Sequence, residues 1–579
     1  MDINKISPGL QLALRYETLI SASEKAIFQT TDPNRWQIVV MYVQNIDDIV
    51  SSLGAEVVKV GTTFMVITIS KQNINELSTY AQVTLLSLPS EMSYTDIGLS
   101  AVCGTNINLP TSQFNVTGSN ILIGIIDSGI QYRQSDFRNE DGTTRIKYLW
   151  DQTLEGSPPE GFNRGVEYSE EVINTALRAS SDADQLAIVP SQDTLGHGTA
   201  LASIAAGNNR SNQGVAPESN LIIVKIGTPQ LGSSRPRDMD IMEGISYVLA
   251  KATQLRQPIS IILGVGDNLT GHDGQTPLEL YIDEAIYEWA CNFSVGAGNE
   301  GDKNSHTKGV LIEGQTTTLE FILQGNLMTY GFCLWKTFID EIEMVIEAPN
   351  GERTDVLSTQ TSNRAYLFDN TSVLINFTEP ATNIKRQEVF IWLQAQPGQT
   401  INTGQWRFII TPKRILDGRY DMWAQITDTG SGFLNASIEA TVTSPGNSKN
   451  ITTVGAINAS TTALATFSGR GYTLDGRIKP DLVAPGVDIP VVSNTDDTSF
   501  SGTSAAAAFV GGAYALLLSY GIYELNQRSF YGLRLTSYLL RNALRPESYG
   551  PFPNRSWGYG ILCLEATLSN MLDVTISTT

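Results

Sequence analysis

The sequence is short of cysteine and of positive charge, and each shortage excludes a class of protein. Its four cysteines, Cys103, Cys291, Cys333 and Cys563, stand far apart in 579 residues with no C-x-x-C pair. We therefore expect reduced, buried thiols and neither a zinc site nor a dense disulfide scaffold. Lys and Arg number 38 against 59 Asp and Glu, a net charge of −21. Because such an acidic surface repels phosphate backbones, we expect no nucleic-acid partner.

Long apolar runs are also missing. No stretch of ~18 consecutive apolar residues occurs, and the amino terminus lacks a basic segment followed by an unbroken apolar one. The sequence thus predicts no membrane span and no secretion signal, which favours a cytoplasmic location. Hydrophobic residues nevertheless make up 41% of the chain and charged ones 17%. That balance is typical of globular proteins, and the length indicates several domains at ~100 to 200 residues each.

The first 96 residues are expected to form a small αβ domain. Apolar runs from Arg35 onward indicate a strand, a short helix closed by Gly54 and a pair of strands. A second helix with Ser70 as its N-cap and a last strand ended by Pro89 follow. This pattern predicts a β-α-β-β-α-β order, which is that of a ferredoxin-like fold.

Residues 97–305 and 437–579 are predicted to form one α/β domain. Unbroken apolar runs such as ILIGIID and LIIVKIG alternate with helical segments such as GTALASIAAG. A parallel sheet covered by helices on both faces requires this pattern, so we expect a doubly wound sheet. Between them, residues 306–436 carry alternating segments such as TTTLEFIL and QWRFIITP with turns between them. They predict an inserted β-sandwich or jelly roll.

Four short tracts stand where reactive groups collect in such a sheet, beyond the carboxyl ends of strands. Asp127 ends the strand ILIGIID, although an Asp in such a turn caps backbone more often than it catalyses. His197 lies between glycines where a helix begins and is the best candidate for a general base. His272 and His306 are interpreted as solvated loop residues.

The other two tracts supply a hydroxyl and an amide. Ser504 stands at the start of a helix rich in small residues, where unpaired N–H groups stabilise an oxyanion, although an N-cap serine looks the same. Asn299, in GAGNEG, follows a short strand and carries an amide of the kind an oxyanion hole uses. Taken alone, each tract would be interpreted as a helix cap or a turn.

Together the tracts resemble the subtilisin-like serine proteases. Asp127, His197 and Ser504 follow one another in the order that subtilisin has, and KPDLVAPG stands between the asparagine and serine tracts as in that family. The resemblance covers about residues 115–299 and 450–568. It implies a subtilisin-like fold and a serine endopeptidase that needs no cofactor.

The resemblance also implies a role for each matched residue. Ser504 corresponds to the nucleophile, His197 to its general base and then acid, and Asp127 to the group that orients the imidazole. Asn299 corresponds to the side-chain donor of the oxyanion hole, together with the backbone N–H of Ser504. A bare serine hydroxyl needs such a base and such donors for attack on a carbonyl.

The substrate-binding residues follow from the same resemblance. In the family, the substrate runs beside the tract that here reads Leu263, Gly264, Val265 and Gly266. Backbone near Ala297 and Gly298 borders the pocket for the residue before the cut.

Some features depart from the subtilisin pattern without removing a catalytic group. Ala505 and Ala508 replace a common Met and Pro after the serine, and Phe509 replaces a common histidine. The loop at residues 208–213 is shorter than the subtilisin loop that holds calcium, so we expect no metal.

The amino-terminal unit looks like the family's pro-domain, an inhibitor and intramolecular chaperone, with autocleavage expected within residues 90–101, near Thr95. A pro-domain, an inserted jelly roll and no export signal are similar to the clostridial Csp germination proteases. Those act in spores on the zymogen of a cortex-lytic enzyme. We therefore expect a protein substrate of that kind, the cleaved pro-domain as a bound partner, and a forespore-derived spore compartment.

Two alternatives stay open. Csp-like relatives include pseudoproteases that bind or signal without catalysis, although three matched triad groups and an oxyanion donor argue for an enzyme. A broad-specificity intracellular or gut-bacterial subtilase would share the same site and degrade unfolded chains without a dedicated target.

Overall fold

The structure is a computed structural model that describes residues 2, 5–6, 10, 13–14, 32–60, 64–87, 114–208, 213–227, 236–361, 364–378, 386–427, 429–492 and 499–578. The chain forms two compact units, Met1–Thr95 and Asp96–Thr579. The expected autocleavage segment at residues 90–101 lies outside the described residues.

In its described residues from 32 to 87, the first unit has a four-stranded antiparallel sheet with two helices. Its elements are β1 (Arg35–Tyr42), α1 (Asp47–Ser52), β2 (Glu56–Val60), β3 (Phe64–Ser70), α2 (Lys71–Leu77) and β4 (Val83–Ser87), and the strands lie in the order β2-β3-β1-β4. Trp36, Ile38 and Val40 alternate along β1 and are fully buried, so one face of the sheet forms the core with the helices. The β-α-β-β-α-β order expected from the sequence is the order observed.

The second unit begins with the first part of an α/β core. Its elements are β5 (Leu122–Asp127), β6 (Ile146–Asp151), β7 (Val166–Ser169), α3 (Glu170–Leu177), α4 (Asp182–Ile188), α5 (His197–Ala206), β8 (Asn220–Lys225), α6 (Asp238–Leu255), β9 (Ile259–Leu263), α7 (Pro277–Ala285) and β10 (Cys291–Gly296). Every residue of β5 and β9 is buried. Helices therefore cover both faces of the sheet, as the continuous apolar runs predict.

The inserted segment consists of two antiparallel sheets. Its strands are β11 (His306–Val310), β12 (Thr317–Leu323), β13 (Thr329–Thr337), β14 (Glu341–Glu347), β15 (Arg364–Phe368), β16 (Thr371–Phe377), β17 (Arg386–Ala395), β18 (Gly404–Arg414), β19 (Arg419–Ala424) and β20 (Gly432–Phe433). One sheet has the order β11-β19-β13-β17-β16-β15 and the other β14-β18-β12-β20. Phe321, Phe332 and Trp406 are fully buried in a core that both sheets share. We call this segment the inserted β domain.

The chain then returns to the α/β core. The remaining elements are β21 (Thr452–Ile457), β22 (Leu482–Pro485), β23 (Ile489–Pro490), β24 (Ser499–Phe500), α8 (Thr503–Ser519), α9 (Gly532–Arg541) and α10 (Leu564–Thr578). The central sheet has the order β22-β21-β10-β9-β5-β8-β6-β7, so strands from before and after the insertion belong to one sheet. The sheet is mixed and not wholly parallel, because β7 pairs antiparallel to β6 at the edge. An antiparallel strand at the edge of a sheet needs no helical crossover, and the alternation of apolar runs and helices therefore did not reveal the direction of β7.

Helix α8 runs through the middle of this core. All its residues but one are buried, and a Cβ added at Gly511 would overlap the side chain of Ile262, so the helix needs its small residues to approach the sheet. In the part of the chain that the structure describes, Thr503–Glu524 is the one helical segment long and apolar enough to cross a membrane, with a mean hydropathy of 1.6. Its most apolar window is 94% buried inside the protein, which is the environment of a core helix.

The interpretation of His272 and His306 as solvated loop residues is wrong. Both are buried, and their rings stack on Trp423 at centroid distances of 4.2 and 4.6 Å. His272 belongs to the core segment before α7, whereas Trp423 belongs to β19, so the stack joins the inserted β domain to the core. Burial lowers the pKa of His272 to about 4, which keeps the ring neutral. A histidine between polar residues gives no sequence cue to such stacking.

The cysteines differ from one another. Cys291 and Cys333 are buried free thiols, as expected. Cys563 is disulfide-bonded, so the expectation of a reduced thiol is wrong at this position. Separation along the chain gives no measure of distance in space, and Cys103 lies outside the described residues.

Candidate active site

Asp127 and His197 form a hydrogen-bonded pair at the carboxyl end of β5. Asp127 is 2% exposed, and its Oδ1 lies 2.8 Å from His197 Nδ1. The same oxygen accepts a 2.7 Å hydrogen bond from the backbone N–H of Ser128. Two donors on one oxygen fix the carboxylate, which in turn fixes the orientation of the imidazole.

The neighbours of His197 are small for steric reasons. Gly196, the N-cap of α5, has a φ of +75° in the left-handed region that favours glycine. A Cβ added at Gly198 would overlap the carbonyl oxygen of Gly129. The glycines on either side of His197 therefore let the start of α5 contact the loop that follows Asp127.

Asp193 ties these two segments together, a role that the sequence analysis did not assign. Its Oδ1 accepts hydrogen bonds from Ser128 Oγ (2.9 Å) and the Gly196 N–H (2.8 Å). Its Oδ2 accepts from the backbone N–H and the hydroxyl of Thr199, at 2.9 and 2.7 Å. An Asp just before a helix that begins with small residues is a capping pattern, and that was the available cue.

Burial and pairing act in opposite directions on the pKa values of the pair. Burial alone would raise the pKa of Asp127, but the charge and hydrogen bond of His197 and the donors of Ser128 hold it below its usual value. Burial alone would lower the pKa of His197, but the Asp127 carboxylate raises it above its usual value. The ion pair therefore favours the imidazolium, the form that results when the ring takes a proton.

Ser504 and Asn299 come together at the start of α8. The N-cap of this helix is Gly502, so Ser504 is the second residue of the helix and not its cap. Asn299 is exposed, and its Oδ1 accepts hydrogen bonds from the backbone N–H (2.9 Å) and the hydroxyl (3.0 Å) of Thr503. With Oδ1 engaged, the Nδ2 donors of Asn299 are left to face a ligand beside Ser504.

The first turn of α8 also supplies a backbone donor. The Ser504 N–H has no hydrogen-bond acceptor in the part of the chain that the structure describes, as expected at a helix start. Ser504 is half-buried. The ring of Phe500, four residues earlier, meets the His197 ring edge to face at 5.2 Å, so the segment that leads to Ser504 lies beside the imidazole.

The tract expected to run beside a substrate divides into two parts. Leu263 is the last residue of β9, fully buried between β5 and β10. Gly264 lies against the Asp–His pair: a Cβ added there would overlap Asp127 Oδ2 and lie 2.8 Å from His197 Cε1. Val265 and Gly266 line an open cavity of about 520 Å³. The structure thus leaves the last three residues of the tract, and not Leu263, open to a ligand.

The backbone before Asn299 is fixed by its neighbours. Ala297 is buried and its carbonyl accepts from the Thr443 N–H. Gly298 has a φ of +93°, and a Cβ there would lie 2.7 Å from Thr443 Oγ1. Glu300, which follows Asn299, is 7% exposed, and burial raises its pKa to about 7.

Metal binding has no structural support in the described ranges. No group of three or more His, Cys, Asp or Glu residues there is arranged to hold an ion. Residues 209–212 of the loop compared with the calcium loop of subtilisin lie outside those ranges.

Sequence and structure comparisons relate the chain to known families and structures. The profile of the Subtilase family matches residues 118–365 and 429–560, and that of the Csp protease B prodomain matches residues 4–90. The structure of the Clostridium perfringens CspB protease is similar, with a TM-score of 0.74 and 29% identity over 82% of this chain and 97% of that chain.

Curated relatives are more distant. Subtilisin-like protease SBT3.1 of Arabidopsis thaliana is 24% identical over 75% of this chain, and the match spans 57% of its own length. C5a peptidase of Streptococcus pyogenes is 50% identical over 10% of this chain and 5% of its own length. The Subtilase profile covers more than half of the chain, and the chain therefore belongs to the subtilase family.

Proposed function

We propose that this chain is a subtilisin-like serine endopeptidase with Ser504 as its nucleophile. The observation that carries the proposal is the 2.8 Å contact between Asp127 and His197. Phe500, which contacts the His197 ring, leads to the helix start at which Asn299 bonds to Thr503, the residue before Ser504. Acyl transfer needs a base, its orienting carboxylate, a hydroxyl and oxyanion donors together, and the proposal assigns these roles to His197, Asp127, Ser504 and the donors of Asn299 and the Ser504 N–H.

The proposed reaction follows from the positions of these groups. Because Nδ1 of His197 faces Asp127, Nε2 takes the proton of the Ser504 hydroxyl as Oγ bonds to the peptide carbonyl carbon. Asn299 Nδ2 and the Ser504 N–H donate to the resulting oxyanion. The imidazolium then gives its proton to the departing amine, and water, activated by the same ring, hydrolyses the acyl-enzyme.

The amino-terminal unit is proposed to be a ferredoxin-like pro-domain that assists folding and inhibits the active site. Its antiparallel strand order β2-β3-β1-β4 with two helices supports the fold, and the Csp protease B prodomain match supports the role. We propose that the pro-domain stays bound after cleavage. Two fragments that co-elute in gel filtration support this partnership, and fragments that separate contradict it.

The inserted β domain is proposed to be a jelly roll. The substrate is proposed to be the zymogen of a spore cortex-lytic enzyme, cut inside a forespore-derived spore compartment. The similarity to the CspB protease structure over nearly its whole length supports this assignment. Cleavage rates of such a zymogen and of casein, measured side by side, test it. A zymogen cut at one bond while casein stays intact indicates a dedicated protease, and rapid digestion of casein indicates a broad-specificity one.

Labelling with a fluorophosphonate probe tests the nucleophile itself. The wild-type chain is expected to take up one probe per molecule, and Ser504→Ala none. Thr503→Ser, which keeps a hydroxyl next to the nucleophile, is the matched control and retains labelling. Equal labelling of wild type and Ser504→Ala contradicts the assignment.

A further inference from the structure

Asp193 is a second buried carboxylate close to the Asp127–His197 pair. It is 0% exposed and stands four residues before His197, in the segment that leads into α5. The four hydrogen bonds described above reach it both from the loop that follows β5 and from the start of α5. Four donors match the acceptor capacity of an ionised carboxylate.

Two hydroxyl groups point their protons at Asp193. Ser128 Oγ accepts a 2.9 Å hydrogen bond from the Gly198 N–H, and Thr199 Oγ1 accepts a 3.0 Å bond from the Gln131 N–H. Since each hydroxyl thereby receives a proton from a backbone donor, its own single proton is left for the carboxylate. Each hydroxyl therefore connects the loop after β5, the start of α5 and Asp193.

The segment that carries Asp193 is itself anchored to the central sheet. Ser191 Oγ donates a 2.6 Å hydrogen bond to Oδ2 of Asp151, the last residue of β6. Lys225, the last residue of β8, donates from Nζ to the Gln192 carbonyl at 2.7 Å. The carboxylate is therefore presented from a fixed part of the core, which is what the support of a catalytic group requires.

Helix capping alone does not account for these contacts. A capping carboxylate bonds to the first N–H groups of its own helix, and the bonds from Gly196 and Thr199 are of this kind. The bond from Ser128 Oγ is different, because it crosses to the residue that directly follows Asp127. Asp193 thus contacts the neighbours of both members of the pair.

We propose that Asp193 is a positioning residue of the active site, which holds Asp127 and His197 in their relative orientation through Ser128 and the start of α5. It acts through these neighbours and is not itself a catalytic residue. The inference rests on the proposed serine protease activity, because it concerns how the general base is held for the attack of Ser504.

The charge of Asp193 gives this role a second observable. Burial lowers the pKa of His197, the charge and hydrogen bond of Asp127 raise it, and the charge of Asp193 raises it further. Of the other segments around the ring, the one before Ser504 contributes the uncharged Phe500. Lys225 lies behind the loop after Asp127, where its Nζ is bonded to a carbonyl. Removal of the Asp193 charge should therefore lower the pKa of His197.

The rate of labelling by a fluorophosphonate probe tests the effect on the nucleophile. Asp193→Asn keeps the size of the side chain and removes its charge, and we expect labelling to slow by ~10- to 100-fold, because small displacements of catalytic groups have effects of this size. Asp184→Asn is the matched control, since Asp184 also accepts a hydroxyl bond at a helix start but is exposed. It should label at the wild-type rate.

An NMR titration separates positioning of the pair from helix capping. The chain has three histidines, and burial lowers the pKa values of His272 and His306, so the resonance that titrates highest belongs to His197. Its pKa should be lower in Asp193→Asn than in the wild type and unchanged in Asp184→Asn. A role in helix capping alone would leave the pKa of His197 unchanged.

Thr199→Val provides a second variant that keeps the Asp193 charge. It removes the 2.7 Å hydroxyl bond to Oδ2 and keeps the 2.9 Å backbone bond. Labelling should slow by ~5-fold, as for the loss of one hydrogen bond, with no change in the pKa of His197. Thermal unfolding of each variant shows that it is folded, and Thr199→Val decides the question if Asp193→Asn does not fold.

Equal labelling rates in the wild type and the folded variants overturn the proposal. Slower labelling of Asp193→Asn with an unchanged His197 pKa also overturns it, because a capping role would then explain the loss. A wild-type chain that does not label at all contradicts the proposed proteolysis instead. The titration of His197 needs no catalysis, so it still decides whether Asp193 acts on the pair.

Discussion

The most informative single perturbation is the removal of the Asn299 amide. Loss of one side-chain donor from an oxyanion hole costs ~10²- to 10³-fold in kcat. Asn299 is exposed, and among the described residues its Oδ1 accepts hydrogen bonds only from Thr503, so Asn299→Ala leaves the core intact. We therefore expect kcat to fall by ~100- to 1,000-fold, with little change in KM because the donor acts on the transition state.

The two bonds from Thr503 allow a second, graded prediction. Thr503→Val removes the 3.0 Å hydroxyl bond to Asn299 Oδ1 and the 3.1 Å bond that the hydroxyl accepts from the Gly298 N–H, and it keeps the 2.9 Å backbone bond to Asn299. One neutral hydrogen bond is worth ~1 kcal/mol, so kcat is expected to fall by only ~5-fold. In the double variant with Asn299→Ala, the part of the Thr503 effect that acts by orienting Asn299 should disappear, so the two effects on kcat should not be additive.

The assay is steady-state cleavage of a chromogenic peptide, with active sites counted by fluorophosphonate titration and folding checked by thermal unfolding. Unchanged turnover in Asn299→Ala refutes the oxyanion role. A change in KM without a change in kcat would contradict the oxyanion role of Asn299. Additive effects in the double variant would show that Thr503 does not act by orienting Asn299.

Three further predictions rest on the same geometry. The pKa of the His197 imidazole should lie above its usual value of 6.5 in an NMR titration, because the Asp127 carboxylate raises it. In Asp127→Asn the pKa of His197 should be lower than in the wild type, and an unchanged pKa contradicts the pairing. Gly264→Ala should lower kcat at least ~10-fold without loss of fold, because the new Cβ overlaps Asp127 Oδ2; full turnover would show that the carboxylate moves aside at no cost. The buried carboxyl of Glu300 titrates at about 7 in the folded chain against about 4.5 when exposed, so the folded state loses stability as pH rises from 4.5 to 7, by roughly 3 kcal/mol. Chemical denaturation at pH 5 and pH 8 should therefore show a smaller decline for Glu300→Gln than for the wild type, and equal declines would contradict the burial argument.

The features predictable from sequence are those that depend on local pattern. Unbroken apolar strands and glycines beside His197 and Ser504 are local requirements of a parallel sheet and of tight helix starts. They located the α/β core on both sides of the insertion, whereas the Asp127–His197 contact across 70 residues was implied by the resemblance to subtilisin.

The features that the sequence did not predict depend on contacts between distant segments. Strand β13 was not singled out, because Gly331, Cys333 and Lys336 interrupt its apolar alternation. His272 and His306 were misjudged because only the fold brings Trp423 between their segments. The position of Asp193 before α5 was visible in the sequence, but only the folded chain brings Ser128 to its carboxylate.

The intact mass of the purified wild-type chain, compared with that of Ser504→Ala, tests most directly whether Ser504 acts as a nucleophile. We expect the wild type alone to be cut within residues 90–101, because cleavage of its own pro-domain requires the hydroxyl. Two full-length masses, together with failure of the wild type to label with a fluorophosphonate, would contradict it.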